Sequence, residues 1–373
     1  MSNAGFVERS EGLHRRVRAF ARGESQESFD SLALELARFQ AENIPGFANL
    51  VERSGSALDS AATIPAVPSE AFRLTRVAVH PPELDVVRFE TSGTSTEAKG
   101  VHPMRTTATY RALSTSFGRE ALMAEDAAVV VALAAEPGEP VPSSLMFMMR
   151  QFMEEFDPAF GRHMGLHVDA PYERWLLSSA GVNLVELQRA CAFAAQMGRP
   201  LLVLATSLAL ARCLEQLQGR SFLLPEKSVV MHTGGPKKRG GELNLSELRT
   251  RAVEQLGLAA GQIVGEYGMT ELSSQLYEGT VRGAHLSGPK GVFIPPRWLR
   301  VTPVDSITLE PVEPGGIGLA RFMDLGNVDS AVCVLTQDLI RERDGGIELL
   351  GRSPGAVPRG CSMAVQALLE GAQ

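Results

Sequence analysis

The sequence predicts an α/β fold in which mixed or parallel sheets are flanked by helices. Three observations point there. The 373 residues suffice for one large or two modest hydrophobic cores. From Ala128 onward, short apolar runs alternate with segments of helical spacing, as in a parallel sheet covered on both faces. The 36 Gly and 22 Pro punctuate a chain that is 44% hydrophobic and 21% charged, a composition that excludes disordered, coiled-coil and collagen-like chains.

Phe29, Leu32, Leu36 and Phe39 recur at helical spacing before Gly46, so an early amphipathic helix is expected. Ile64-Pro65-Ala66-Val67-Pro68 must be extended, because a residue before Pro avoids the helical region. Strands are expected at Val86–Glu90, Ala128–Leu133, Pro200–Ala205, Ser228–His232, Gln262–Glu266 and Val332–Thr336. Helices are expected at Thr106–Phe117, Leu145–Phe156, Asn183–Met197, Ser207–Gln218 and Leu243–Leu256. Gly315–Asp324 and Gly346–Leu350 read as short strands joined by turns. Pro354, Gly355, Pro358 and Gly360 give the end of the chain the look of a loose tail. Residues 1–340 are therefore expected to form the α/β body, and 341–373 a reduced C-terminal segment with a flexible tail.

Charge and apolar pattern narrow the partners. The net charge is −7, and no basic block is longer than Pro236-Lys237-Lys238-Arg239, which argues against nucleic acid. The longest apolar runs, Ala127–Ala135 and Leu201–Ala211, are too short to span a bilayer. Glu8, Arg9 and Glu11 leave no apolar signal core, and four scattered cysteines without CxxC spacing read as reduced thiols. A cytoplasmic location is the expectation.

Four elements carry candidate chemistry. Thr91-Ser92-Gly93-Thr94-Ser95-Thr96-Glu97-Ala98-Lys99-Gly100 follows a strand-like run and opens towards a helix. Its small residues, hydroxyls and terminal Lys suit a phosphate cradle, although an ordinary Ser/Thr-rich surface turn has the same composition. It lacks Walker spacing. Gly265-Glu266-Tyr267-Gly268-Met269-Thr270-Glu271 places a ring, a Gly and a carboxylate where a strand ends, where open sheets bind ligands and a carboxylate can hold Mg²⁺. A helix capped by Thr270 with Glu271 in its first turn fits those residues equally. Thr233-Gly234-Gly235-Pro236 ends another strand and permits close approach to a flat ligand. Asp338 at a strand end suits ribose hydroxyls, and Arg352, just after Gly351, suits phosphate charge.

In this order the four elements resemble the adenylate-forming superfamily of acyl-CoA synthetases, luciferases and peptide-synthetase adenylation enzymes. The Tyr267-Gly268-Met269-Thr270-Glu271 match is complete; the Gly234-Gly235-Pro236 element resembles the family's Gly-Gly-Ala/Pro signature. Within that superfamily the chain is most similar to the acyl-protein synthetases of bacterial bioluminescence, the LuxE type. That narrower resemblance rests on length, Ile64-Pro65-Ala66-Val67-Pro68-Ser69-Glu70-Ala71-Phe72, Ser143-Ser144-Leu145, Thr233-Gly234-Gly235 followed by Lys, and Arg359-Gly360-Cys361-Ser362. It implies an adenylate-forming large domain and a ligase using ATP and Mg²⁺. Thr91, Ser92, Gly93, Thr94, Ser95 and Lys99 would meet the phosphates and Gly234, Gly235, Tyr267, Gly268 and Thr270 the nucleotide. Glu271 would hold the metal, Asp338 the ribose, and Arg352 the nucleotide.

The chain departs from full adenylating enzymes at its end. Those carry a C-terminal cap with a mobile Lys, whereas here 21 residues follow Arg352 and none is Lys. The cap is thus expected to be absent or reduced to a short tail, with Lys237 or Lys238 as a conceivable substitute. In LuxE-type enzymes a cysteine near the C-terminus receives the acyl group, and Cys361 holds the matching position, where Arg359 could lower its pKa.

The expected activity is ATP-dependent activation of a carboxylic, fatty acid as acyl-AMP, then transfer to Cys361 and onward to an acyl-accepting reductase or carrier protein. Two alternatives are a CoA or carrier-protein ligase that ignores Cys361, and a non-catalytic nucleotide or acyl-binding relative. His163 and His167 lie four apart but lack zincin context, and read as a surface pair. Met149, Phe152, Met153 and Phe156 form one helical stripe, read as core packing with an acyl-chain wall as the alternative.

Overall fold

The structure is a computed structural model that describes residues 3–91, 98–160, 171–234, 237–238, 241–242, 244–279, 291–353 and 359–371. Helices α1 (Asn3–Ala21), α2 (Phe29–Asn43) and α3 (Pro45–Ser54) open the chain. Ser28 caps α2 by accepting from the Ser31 amide, and Leu32, Leu36 and Phe39 bury the expected stripe. Pro45 starts α3 and Gly55, at φ 67°, ends it.

The extended proline stretch supplies β1 (Val67–Pro68), followed by α4 (Ala71–Leu74). Strands β2 (Val87–Glu90) and β3 (Val101–Met104) then pair antiparallel, before α5 (Ala108–Leu122). Thr91 and Gly100 flank that pair. The helix towards which the sequence reading looked is α5, and β3 precedes it. Next come β4 (Val129–Leu133), α6 (Ser144–Phe156), the β5 (Leu177–Ser178) and β6 (Gly181–Val182) hairpin, α7 (Leu184–Gln196), β7 (Leu201–Thr206) and α8 (Ser207–Gln216). β8 (Val229–Thr233), the β9 (Lys237–Lys238) and β10 (Gly241–Glu242) hairpin, α9 (Leu245–Leu256), β11 (Ile263–Tyr267) and β12 (Leu276–Tyr277) follow.

These strands build the first sheet, ordered β12-β11-β8-β7-β4, parallel except for β12. Its strands are buried on both faces. Val130 and Ala132 of β4 join the core that holds Phe117 of α5 and Met149 and Phe152 of α6. Val129, Val131 and Leu133 point the other way, towards Leu187, Leu210 and Leu248 of α7, α8 and α9. The α6 stripe of Met149, Phe152, Met153 and Phe156 is sealed core, at most 1% exposed.

The second sheet is antiparallel and contains β13 (Val292–Phe293), β14 (Leu299–Val304), β15 (Ile317–Asp324), β16 (Cys333–Arg343) and β17 (Gly346–Arg352) in the order β13-β17-β16-β15-β14. β1 joins it in parallel beside β16. The 340/341 division expected from the sequence falls inside β16, and β17 returns into the same sheet.

The described end of the chain is α10 (Arg359–Gly371), a helix packed on α3 where a loose tail was expected. Small residues allow the approach: a Cβ on Gly46 would lie 2.5 Å from the Leu368 carbonyl oxygen, and one on Gly371 would lie 2.6 Å from that of Pro45. Asn49 donates to the Ala367 carbonyl, Arg53 pairs with Glu370, and Ala364, Ala367 and Leu368 enter the main core. Among the described residues no helix is long and apolar enough to cross a membrane.

Candidate active site

The parallel strands β8 and β11 end side by side, with Thr233 paired to Glu266 in register. Open parallel sheets bind ligands beyond such carboxyl ends. Gly234 turns away from β8 at φ 93°, a conformation that favours glycine, and Ser207 Oγ donates to its carbonyl at 3.0 Å. Gly268 follows β11, and a Cβ there would lie 2.5 Å from Glu266 Oε1, because the Glu266 side chain folds beneath it.

Thr91 and Gly100 are tied to each other. The Thr91 amide donates to the Gly100 carbonyl, and the Gly100 amide to Thr91 Oγ1, both at 2.9 Å. Lys99, about half exposed, donates to Glu90 Oε2 at 2.9 Å. Ser92, Gly93, Thr94 and Ser95 lie outside the described residues, as do Gly235, His163 and His167.

Residues 268–272 form a turn, not a helix, which corrects the capped-helix alternative for Thr270 and Glu271. His102, on β3, donates from Nδ1 to the Thr270 carbonyl at 2.8 Å. Burial drives its pKa down to about 4, so the ring is neutral at pH 7 and the carbonyl contact fixes its tautomer. The bond joins β3 to the Glu271 turn. A Cβ on Gly100 would lie 3.0 Å from Thr91 Cγ2 and 3.6 Å from Glu271 Oε1, so Gly100 and the carboxylate are adjacent.

Glu271 is 7% exposed, and among the described residues no group except its own amide donates to its carboxylate. Burial pushes it up to about 7; its own amide and Arg352 work against this, while Glu70 and Asp338 add to it. A buried carboxylate with no cation bonded to it among the described residues fits a divalent metal, whose charge would restore the ionised form.

The second sheet supplies the remaining groups. Asp338 and Arg352 face each other in register across β16 and β17, and Arg352 Nε donates to Asp338 Oδ1 at 3.2 Å. The Tyr267 hydroxyl donates to Asp338 Oδ2 at 2.7 Å, and burial with the Asp338 charge holds that phenol well above its ordinary value. The Tyr267 ring stacks on Phe322 at 5.7 Å, so one face is already covered. The structure thus brings Thr91, Gly100, Tyr267, Thr270, Glu271, Asp338 and Arg352 into one neighbourhood. Lys99 stands at its rim.

Cys361 lies in the first turn of α10. Lys237 and Lys238 lie on the β9 strand. Sequence reading missed Glu70, which accepts from Gln337 Nε2 at 2.7 Å, and also His102, Phe322, Asp324 and Asn327. A signal existed for the last two: Asp-Leu-Gly-Asn after a strand is turn chemistry.

No protein-family model and no curated protein matches the chain. Solved structures do. It is similar to an open conformation of 2-hydroxyisobutyryl-CoA ligase in complex with 2-HIB-AMP and CoA, with TM-score 0.57 and 15% identity over 89% of this chain and 76% of that one. The same ligase in its thioesterification state aligns with TM-score 0.58 and 14% identity over 93% and 68%. At such identities the likeness establishes fold alone: this chain shares the mixed-sheet α/β fold of that ligase.

Proposed function

We propose that the protein activates a carboxylic acid with ATP and passes the acyl group to a thiol. The supporting observation is that Thr91 and Gly100, Glu271 and the Tyr267–Asp338–Arg352 group lie together near the ends of β8 and β11. The acid carboxylate attacks the α-phosphorus of ATP. The bond to the bridging oxygen breaks, and pyrophosphate leaves acyl-AMP. Positioning and charge neutralisation supply most of such a step. Thr91, Ser92, Gly93, Thr94, Ser95 and Lys99 steady the β and γ phosphates. Tyr267, with Gly268, Gly234 and Gly235, borders the base; Asp338 receives the ribose hydroxyls and Arg352 meets phosphate charge. Glu271 would hold Mg²⁺, which would supply charge neutralisation for the phosphate oxygens.

In the second step the Cys361 thiolate attacks the acyl carbon, AMP departs with the electron pair, and a thioester remains. The resemblance to LuxE-type enzymes supports this step and a fatty acid substrate. A position in the first turn of a helix favours the thiolate. CoA as acceptor is the second reading, favoured by the likeness to a ligase crystallised with CoA.

The test is ATP–pyrophosphate exchange across an acid panel, with intact mass spectrometry. Exchange with one class of acid and an acyl adduct lost in Cys361→Ser are expected. Exchange at background for every acid would overturn activation. An adduct that survives in the serine variant, or free acyl-CoA made by it at full rate, would remove Cys361 from the pathway.

A further inference from the structure

Resting on the assignment of Glu271 as metal holder, we propose that Asn327 is a positioning residue that sets the direction of the Glu271 carboxylate. It belongs to the turn between β15 and β16, far from Glu271 in sequence. Asn327 Nδ2 donates to the Glu271 carbonyl at 2.9 Å and to the Ala331 carbonyl at 2.9 Å. Its Oδ1 accepts from Ser273 Oγ at 2.7 Å. Asp324, on the same turn, accepts from the Ser273 amide at 2.9 Å and from Ser274 Oγ at 2.7 Å. Asn327 is 1% exposed and both amide hydrogens are used, so it has no donor left for a ligand.

The turn is itself held from behind. Gln40 of α2 donates to the Asn327 carbonyl at 2.8 Å and accepts from the Val332 amide at 2.9 Å. Asp329 accepts from Ser10 Oγ at 2.5 Å and from His14 Nε2 at 3.0 Å, both on α1. On the opposite side His102 holds the Thr270 carbonyl. Consecutive carbonyls, Thr270 and Glu271, are thus gripped by two neutral donors on separate elements, while the Glu271 carboxylate takes no bond from another described residue. Direction of the side chain is fixed through its backbone.

The experiment follows Mn²⁺ binding in the presence of ATP by the electron paramagnetic resonance signal of free Mn²⁺, alongside thermal unfolding. Asn327→Asp keeps the shape but replaces both donated hydrogens with an acceptor, and it should weaken Mn²⁺ binding about tenfold or more. Asn327→Ala, which adds no charge, should move it in the same direction. Gln40→Ala loosens the back of the same turn; it should lower the unfolding temperature yet keep Mn²⁺ affinity within about twofold of the parent protein. Parent-like Mn²⁺ affinity in both folded Asn327 variants overturns the proposal, as does an equal loss in Gln40→Ala. A parent protein that binds no Mn²⁺ with ATP overturns the Glu271 assignment instead.

Discussion

Glu266 occupies the space under Gly268 with the Thr233 hydroxyl as its hydrogen-bonding partner, and it is 6% exposed. Burial pushes its carboxyl up to about 7, with the Thr233 bond opposing. The folded value is above the unfolded one, so the stability that Glu266 contributes is complete below about 4.5 and lost as pH rises through about 7. A rise of that size corresponds to about 3 kcal/mol. Glu266→Gln should therefore be near neutral at pH 5 and stabilising by about 2–3 kcal/mol at pH 8, read as the variant-minus-parent difference in urea unfolding. A difference that is the same at both pH values would refute it. At this scale the sequence was partly legible. The strand-end and turn positions of Tyr267, Glu271, Asp338 and Arg352 were readable from the residue types around them. Glu70, His102 and Asn327 were not, because their partners come from other elements; His102 and Thr270 are 168 positions apart.

Elements were more legible than their contacts. The six expected strands are all present, and the longest of them, β16, continues well past Thr336. α10 was hidden because Pro354, Pro358 and Gly360 read as breakers, and because its packing depends on a glycine of α3. Gly46→Val would place a branched side chain against the Leu368 carbonyl, an overpacking that costs about 1–3 kcal/mol. Hydrogen exchange in residues 359–371 should accelerate in that variant while β4 and β7 stay protected. Unchanged protection of α10 would mean that the helix does not depend on this contact.

Among the described residues the two large sheets meet an N-terminal helical layer, and Asp329 is one of the joints. Burial works to raise its pKa, yet His14, Ser10 and Arg105 together bring it below the ordinary carboxylate value. A lowered folded pKa stabilises above the unfolded value and loses that stabilisation as pH falls through the folded one. His14→Ala removes the bonds to Asp329 and Thr109. It should cost about 1–3 kcal/mol at pH 7 and move the acid-unfolding midpoint to higher pH, followed by far-UV circular dichroism. An unchanged acid midpoint would show that α1 contributes nothing to the charge at that joint.

The α3–α10 contact bears on biosynthesis. Asn49 and its partner Ala367 are 318 positions apart, so the Gly46 groove emerges from the ribosome long before the helix that fills it. β1 likewise waits for β16. The Gly46 groove cannot be filled, nor β1 paired, until distant later segments have been translated, so both contacts form late in synthesis.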